Sequence, residues 1–331
     1  MSKVIVLSRA AVFRHLPMAT CIPIVERALR DVAAGRAIQP IRTRISPPDI
    51  QGVLGMMPGY LGTSRTLGIK VVTVFEGNFA RNRPSHGGAI LVFDAEDGAL
   101  KGIIDAGAVT AIRTAAASAV ATRALALPQA ERLAILGYGE QAHVHAEAML
   151  LVRPIRYAAV WGRSSAKAAE FAATLAARHS IDARAEATVA AAVAGAQIIC
   201  TTTAAKEPIL HGKEVAAGCH VNLVGSSFPD AREVDTDLVA RGLLFADDRP
   251  MVEALAGELR AAIAESAVTS DHLLGTIGEV LNGSVAGRRS ASDVTIFKSV
   301  GLIAEDLAAA SYLLETAAAD TADDSITRID L

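Results

Sequence analysis

The sequence predicts an α/β protein: a doubly wound parallel sheet domain together with a discontinuous α+β domain. Three observations carry this. Between residues 121 and 301, short apolar strand segments alternate with helical stretches, the order a parallel sheet with crossover helices requires. One of those strands, Leu133-Ala-Ile-Leu136, runs straight into a glycine turn, Gly137-Tyr-Gly-Glu-Gln-Ala142, and then a helical segment. The first third is rich in strand signals, and a long alanine-rich helix over residues 302–316 is expected to return to it and close it. The expected domains are therefore residues 1–120 with 302–331, and residues 121–301.

Taken in order, residues 1–7 read as a first strand, too short and too abruptly interrupted for a signal peptide. An amphipathic helix over residues 22–32 is closed by Gly35, and an extended stretch over residues 40–48 carries Arg42 and Arg44. Strand signals continue at 52–57, 68–75 and 89–93, with turn residues between them. From Ala111 the chain becomes alanine-dense helix. Strands then follow at 134–137, 158–161, 197–203, 220–225 and 243–246. The tail from Ala317 is small and acidic and is expected to fray.

The chain has 331 residues, 51% hydrophobic and 20% charged, a length at which two domains are the natural division. A formal net charge of −3, with Lys and Arg scattered, argues against a nucleic-acid surface. No apolar run is long enough to span a bilayer, and a cytoplasmic protein is expected. Cys21, Cys200 and Cys219 are odd in number and widely spaced in apolar sequence, so they read as reduced core thiols rather than as disulfides or a metal motif.

The glycine turn explains what the alternating half binds. Gly137 allows a tight turn, Gly139 lets the backbone approach a phosphate, and Ala142 stands where a third glycine would allow close helix packing. The next strand ends in Gly162-Arg163-Ser164-Ser165 instead of the Asp or Glu that holds the ribose 2′-hydroxyl of NAD. A guanidinium beside hydroxyls suits a 2′-phosphate, so NADP(H) is preferred and NAD(H) is the second choice. Ser164 has a competing use as the cap of the following helix. Glu140 must point away from the pyrophosphate.

In the other half, Arg42, Lys70 and Arg113 each interrupt an apolar or small-residue context. A buried cation is costly unless paired, and three of them imply an anionic guest such as a carboxylate. Each alone would suit a structural ion pair. His143 and His145 fall on different helix faces and make poor joint metal ligands; no metal site is expected. His86 lies in a turn and fits either a pocket or plain loop polarity. An exposed sheet face in the first domain would pair with another subunit, which makes a homodimer the expected assembly.

The series Gln39-Pro-Ile-Arg42, residues 59–70, Arg113-Thr-Ala-Ala-Ala-Ser118, Gly137-Tyr-Gly-Glu-Gln-Ala142, Val224-Gly-Ser-Ser-Phe-Pro229 and Phe297-Lys-Ser-Val-Gly301 resembles the ornithine cyclodeaminase and mu-crystallin family over nearly the whole chain. The resemblance implies a dimer with a discontinuous substrate-binding and dimerisation domain and a middle Rossmann domain. It implies that Arg42, Lys70 and Arg113 bind the substrate through its carboxylate, and that Ser85, Thr114, Glu140, Gln141, Thr202, Val224 and Ser299 line the cofactor. The cyclodeaminase branch of the family carries a glutamate and an aspartate where this chain has Gly55 and Ser227. Cyclodeamination needs carboxylates to handle its protons. Reduction of a cyclic imine asks less: the carboxylate must be held and C2 presented to a nicotinamide hydride. The expected activity is NADPH-dependent reduction of a cyclic ketimine such as Δ1-pyrroline-2-carboxylate or Δ1-piperideine-2-carboxylate, giving L-proline or L-pipecolate. Lys70 and Arg113 would orient the substrate, and the proton would come from Lys70 or from a water held by Ser227. The alternatives are an ornithine cyclodeaminase or alanine-type dehydrogenase, and a non-catalytic NADP-dependent binder of small molecules.

Overall fold

A computed structural model of the chain describes residues 3–81, 83–320, 323 and 325–330. Its β-branched and leucine runs form strands that are, in chain order, β1 (Val4–Leu7), β2 (Ala37–Ile38), β3 (Thr43–Ile45), β4 (Val53–Leu61), β5 (Thr66–Val74), β6 (His86–Phe93), β7 (Leu100–Asp105), β8 (Arg132–Leu136), β9 (Tyr157–Trp161), β10 (Asp182–Ala185), β11 (Ile198–Thr201), β12 (His220–Leu223), β13 (Leu243–Ala246), β14 (Leu273–Thr276), β15 (Thr295–Lys298) and β16 (Ile326–Ile329). The chain divides into two compact units, Met1–Arg113 with Leu302–Leu331, and Thr114–Gly301. The division falls inside one continuous helix, Ala106–Leu125, upstream of the boundary at residue 120 read from the sequence.

In the first unit one sheet runs β16-β1-β7-β6-β5-β4-β2, with β3 also pairing β4. The β1–β7 contact is parallel and the others are antiparallel. The pleat sends alternate residues to opposite faces. On β5, Thr66, Gly68, Lys70 and Val72 are buried, and Leu307 of the helix Ile303–Ala319 sits over Gly68 while Ile303 sits over Gly59. That helix seats Ile303, Leu307 and Leu314 against the sheet, over Gly59, Gly68 and Gly102, each large side chain contributing about 1.5–3 kcal/mol. The opposite face is apolar and open. Its register aligns Ile38, Tyr60, Leu67 and Phe93 in one row and Pro58, Ile69 and Leu91 in the next, and Ile38 and Leu67 are 65% and 41% exposed.

Two expectations about this unit need correction. The tail does not fray at Ala317: the helix continues to Ala319, and Ile326–Ile329 returns as β16, antiparallel to β1. The alternation of Ile326, Thr327, Arg328 and Ile329 is a strand signal that the acidic composition before it obscured. The first long helix begins at Met18, after the N-cap Pro17, rather than at residue 22, and Pro23 lies inside it.

The second unit is a wholly parallel sheet in the order β10-β9-β8-β11-β12-β15-β13-β14. The strand order turns back between β8 and β11, and in such sheets ligands bind beyond the carboxyl ends of the strands at that point. β10 is a polar edge strand with no apolar signal, which is why sequence reading passed over it. Cys21, Cys200 and Cys219 are free and buried in the two cores.

Candidate nucleotide site and candidate active site

The glycine turn after β8 is built for close approach. Gly137 has φ +130°, and a Cβ there would stand 2.5 Å from the Thr202 hydroxyl and 2.9 Å from the Thr202 carbonyl oxygen. Gly139 is the N-cap of the helix Glu140–Val152 and supplies no side-chain cap, so the first amides of that helix are open to an anion. Ala142 is fully buried, as close helix packing requires. Glu140 is exposed, and Oε1 of Gln141 is buried without a hydrogen-bond partner among the described residues, a polar atom a bound group could satisfy. The cradle, the open amides and this orphaned acceptor all fit a dinucleotide.

The end of β9 is shaped by Tyr138. A Cβ at Gly162 would lie 2.2 Å from the Tyr138 ring, so the ring fills the room that an acidic side chain would take at that position. Arg163 is exposed beside it. Ser164 caps the helix Ser165–His179, its hydroxyl accepting the Lys167 amide at 3.4 Å. That use competes with any phosphate contact.

Two buried carboxylates hold the loops beyond β11, β12 and β15. Glu233 accepts from the Thr203 amide and hydroxyl, both at 2.7 Å, from the Thr201 hydroxyl at 2.6 Å and from the Gly225 amide at 2.8 Å. It thereby fixes the segments that carry Thr202, Val224 and Ser227. Burial raises the Glu233 pKa while these donors oppose the rise. Asp247 accepts the Val300 and Gly301 amides, each at 2.7 Å, and the Ser299 hydroxyl at 3.1 Å. Ser299 is thus buried with its proton committed to Asp247. Val224 gives its amide to Thr201, and Ser227 is half-buried. Thr114, buried in the helix Ala106–Leu125, is the first residue of this unit.

The first unit assembles the cations on the helix-covered face of its sheet. Lys70, on β5, is 2% exposed; its Nζ donates to Asp306 Oδ2 in a short contact and to Thr110 Oγ1 at 3.4 Å. Arg113 donates from Nε to Asp306 Oδ1 at 3.0 Å and from Nη1 to Glu305 Oε2 at 2.9 Å. Asp306 therefore bridges both cations. Lys70 and Arg113, expected to answer an anionic guest, thus have buried carboxylate partners in the chain, the pairing that each alone would suit. Desolvation lowers the Lys70 pKa to about 8, against the pull of Asp306 and with the help of Arg113 and Arg42. Arg42 is half-buried just before β3, near enough to contribute to that lowering.

His86 opens β6 rather than lying in a turn, and its Nδ1 is 3.0 Å from the Ser85 hydroxyl. Desolvation, then Lys70 and Arg113, lower its pKa to about 4, so it is neutral near pH 7. Ser85 belongs to the first unit. His145 is buried between Ser118 and the Gln141 carbonyl, and His143 packs on Phe171, both in structural roles. Among the described residues no cluster of His, Cys, Asp and Glu could hold a metal ion. No described helix is long and apolar enough to cross a membrane.

Glu305 and Asp306 were missed by sequence reasoning. Their signal is the same one that singles out the cations, a charged pair inside an otherwise apolar helix, Leu302-Ile-Ala-Glu-Asp-Leu-Ala-Ala-Ala310.

Comparison with known proteins is consistent with this geometry. The mouse (Mus musculus) ketimine reductase mu-crystallin is 36% identical over 298 residues, covering 89% of this chain and 91% of that protein. The structure of Thermococcus litoralis Δ1-pyrroline-2-carboxylate reductase in complex with NADH and L-proline superposes with a TM-score of 0.93 at 32% identity, covering 96% of this chain and 98% of that one. An archaeal alanine dehydrogenase dimer with bound NAD superposes with a TM-score of 0.92 at 26% identity, covering 99% of both chains. Residues 2–321 match the family model of the same name as the resemblance read from the sequence, and the chain belongs to the ornithine cyclodeaminase/mu-crystallin family.

Proposed function

We propose that the protein is an NADPH-dependent reductase of small cyclic ketimine carboxylates, converting Δ1-pyrroline-2-carboxylate or Δ1-piperideine-2-carboxylate into L-proline or L-pipecolate in the cytoplasm. The observation that carries this reading is the glycine and serine at positions 55 and 227, where the cyclodeaminase branch carries carboxylates. The carboxylates that do lie beside Lys70 and Arg113, Asp306 and Glu305, are committed to those cations and are not free bases. Both named relatives, the mouse ketimine reductase and the archaeal pyrroline-carboxylate reductase, act on C=N bonds.

In this reading Arg42 and Arg113 hold the substrate carboxylate, while Lys70 orients the ring and donates the proton that the imine nitrogen gains. The reduced nicotinamide supplies a hydride to C2 when bound. Gly137, Gly139, Glu140, Gln141, Thr202, Val224 and Ser299 form the nucleotide site of this reading, and Ser85 and Thr114 are the further residues that the family resemblance assigns to the cofactor. Ser227 offers a neutral hydroxyl, and not the base that an aspartate at that position would supply. The purified protein is expected to oxidise NADPH with cyclic ketimines and to release no ammonia from ornithine with NAD. Stoichiometric conversion of ornithine to proline would show that another group, such as Asp230, serves as the base.

Preference for NADPH rests on Arg163 and on the absence of an acid at the end of β9. Arg163→Ala is expected to erode that preference by roughly ten- to hundredfold in affinity, the worth of a charge-assisted contact of about 1.5–3 kcal/mol. Equal use of NADH and NADPH by the parent protein at matched concentrations would refute it.

The assembly belongs to the proposal as well. The open face of the first unit sets apolar side chains side by side in adjacent cross-strand rows, and a second copy of the chain is its natural cover.

A further inference from the structure

We infer that Asp306, seconded by Glu305, is a positioning residue for the reductase reaction: it locks the Lys70 ammonium and the Arg113 guanidinium into one charge-compensated pair of donors. The inference rests on the reductase reading and extends it to two residues of the helix Ile303–Ala319. The geometry is specific. One carboxylate takes Lys70 on Oδ2 and Arg113 on Oδ1, and the neighbouring Glu305 takes a second guanidinium nitrogen, with all four side chains buried. Successive helix residues do not share a face, yet Arg113 reaches both acids, from Nη1 to Glu305 and from Nε to Asp306, in a stretch buried throughout from Ile303 to Leu307.

The need for compensation follows from the substrate. A ketimine must carry a proton on nitrogen before C2 accepts a hydride, so a positive charge develops beside the cations. An uncompensated like charge beside the imine nitrogen opposes its protonation, the more strongly where burial limits screening by water. Two such cations would hold the imine unprotonated. With Asp306 and Glu305 in place, Lys70 and Arg113 present hydrogen-bond donors without that repulsion.

The groups facing Lys70 come from every packed element. Asp306 lies on the closing helix, Arg113 and Thr110 on the helix Ala106–Leu125, Arg42 before β3, and His86 on β6, while Glu305 pairs with Arg113. Cys21, on the helix Met18–Ala33, lies against Glu305, Arg113 and Asp306, and burial pushes its thiol pKa far up, so it stays neutral. Asp306 is the group in this set that raises the Lys70 pKa, by its charge and by its hydrogen bond. Removing its charge must lower that pKa.

The test is the pH profile of kcat/KM for ketimine reduction, which reports the free enzyme. The parent protein is expected to lose activity above about pH 8, where Lys70 gives up its proton. In Asp306→Asn this alkaline limb should move down by roughly one unit or more, Asp306→Glu should restore it, and NADPH affinity should stay within about twofold. If Asp306→Asn does not fold, Asp306→Ser removes the same charge with a smaller side chain and should move the limb in the same direction. A limb that stays put in a folded variant overturns the inference while leaving the reductase reading intact. Failure of the parent protein to reduce any ketimine overturns the reading, and the inference with it.

Discussion

Arg113→Ala is expected to lower kcat/KM for ketimine reduction by about 2–5 kcal/mol, roughly thirtyfold to several-thousandfold, with NADPH affinity largely unchanged. The size comes from losing a charged hydrogen-bond donor to the substrate carboxylate. A second effect comes with it, because the substitution leaves Glu305 and one oxygen of Asp306 buried without their guanidinium. Breaking a buried pair by removing one partner costs about 3–5 kcal/mol of stability. The two effects separate in the double variant Arg113→Met with Glu305→Gln, which removes one charge of each sign and should recover much of the melting temperature but none of the turnover. Turnover recovering along with stability would mean that Arg113 holds the fold and does not touch the substrate.

Ile69→Glu should convert the protein from dimer to monomer in sedimentation at micromolar concentration. Ile69 stands on the open face of β5, between Pro58 and Leu91 in the same cross-strand row. Its neighbours Gly68 and Lys70 point the other way, so the buried cation site is not altered directly. A stable interface buries about 1,600 Å² in total, and a charge at its centre should weaken it by about 2 kcal/mol or more, at least roughly thirtyfold. The monomer should keep its far-ultraviolet circular dichroism. A parent protein that already sediments as a monomer would dispose of the dimer.

The second unit was the more legible of the two. Its alternation of apolar strands and helices fixes a parallel sheet, and the turn at Gly137 leaves little choice of ligand class, because each glycine there has a steric reason visible in the string of residues. What escaped were the edge strands Asp182–Ala185, whose polar residues carry no period, and Leu273–Thr276, together with the central strand Thr295–Lys298, each only four residues long. In the first unit the strands at 52–57, 68–75 and 89–93 were read, but Leu100–Asp105 was not, and the tail was misread, since the partner of Ile326–Ile329 is Val4–Leu7, nearly the whole chain away. The same non-locality hid the site. Lys70, Arg113 and Asp306 are far apart in sequence, and the rule that a buried charge needs a partner was applied to the cations but not to the acids on the last helix. Tyr138 was passed over for a related reason: its effect is on Gly162, a contact between two turns that only the fold creates.

The pairing of β16 with β1 has a consequence for the order in which the molecule can be made. The contiguous segment Thr114–Gly301 has every strand of its sheet once residue 298 has left the ribosome. The first unit, although synthesised first, waits: Lys70 and Arg113 lack their carboxylates until Glu305 and Asp306 emerge, and β1 lacks its antiparallel neighbour until Ile329 does. During that interval the nascent amino-terminal third holds two cations destined for burial with nothing to neutralise them, together with an apolar face that nothing yet covers. Such long-range closure is slow, and exposed apolar strands are prone to misassembly. The last thirty or so residues thus act as the keystone of the half of the protein that was begun first.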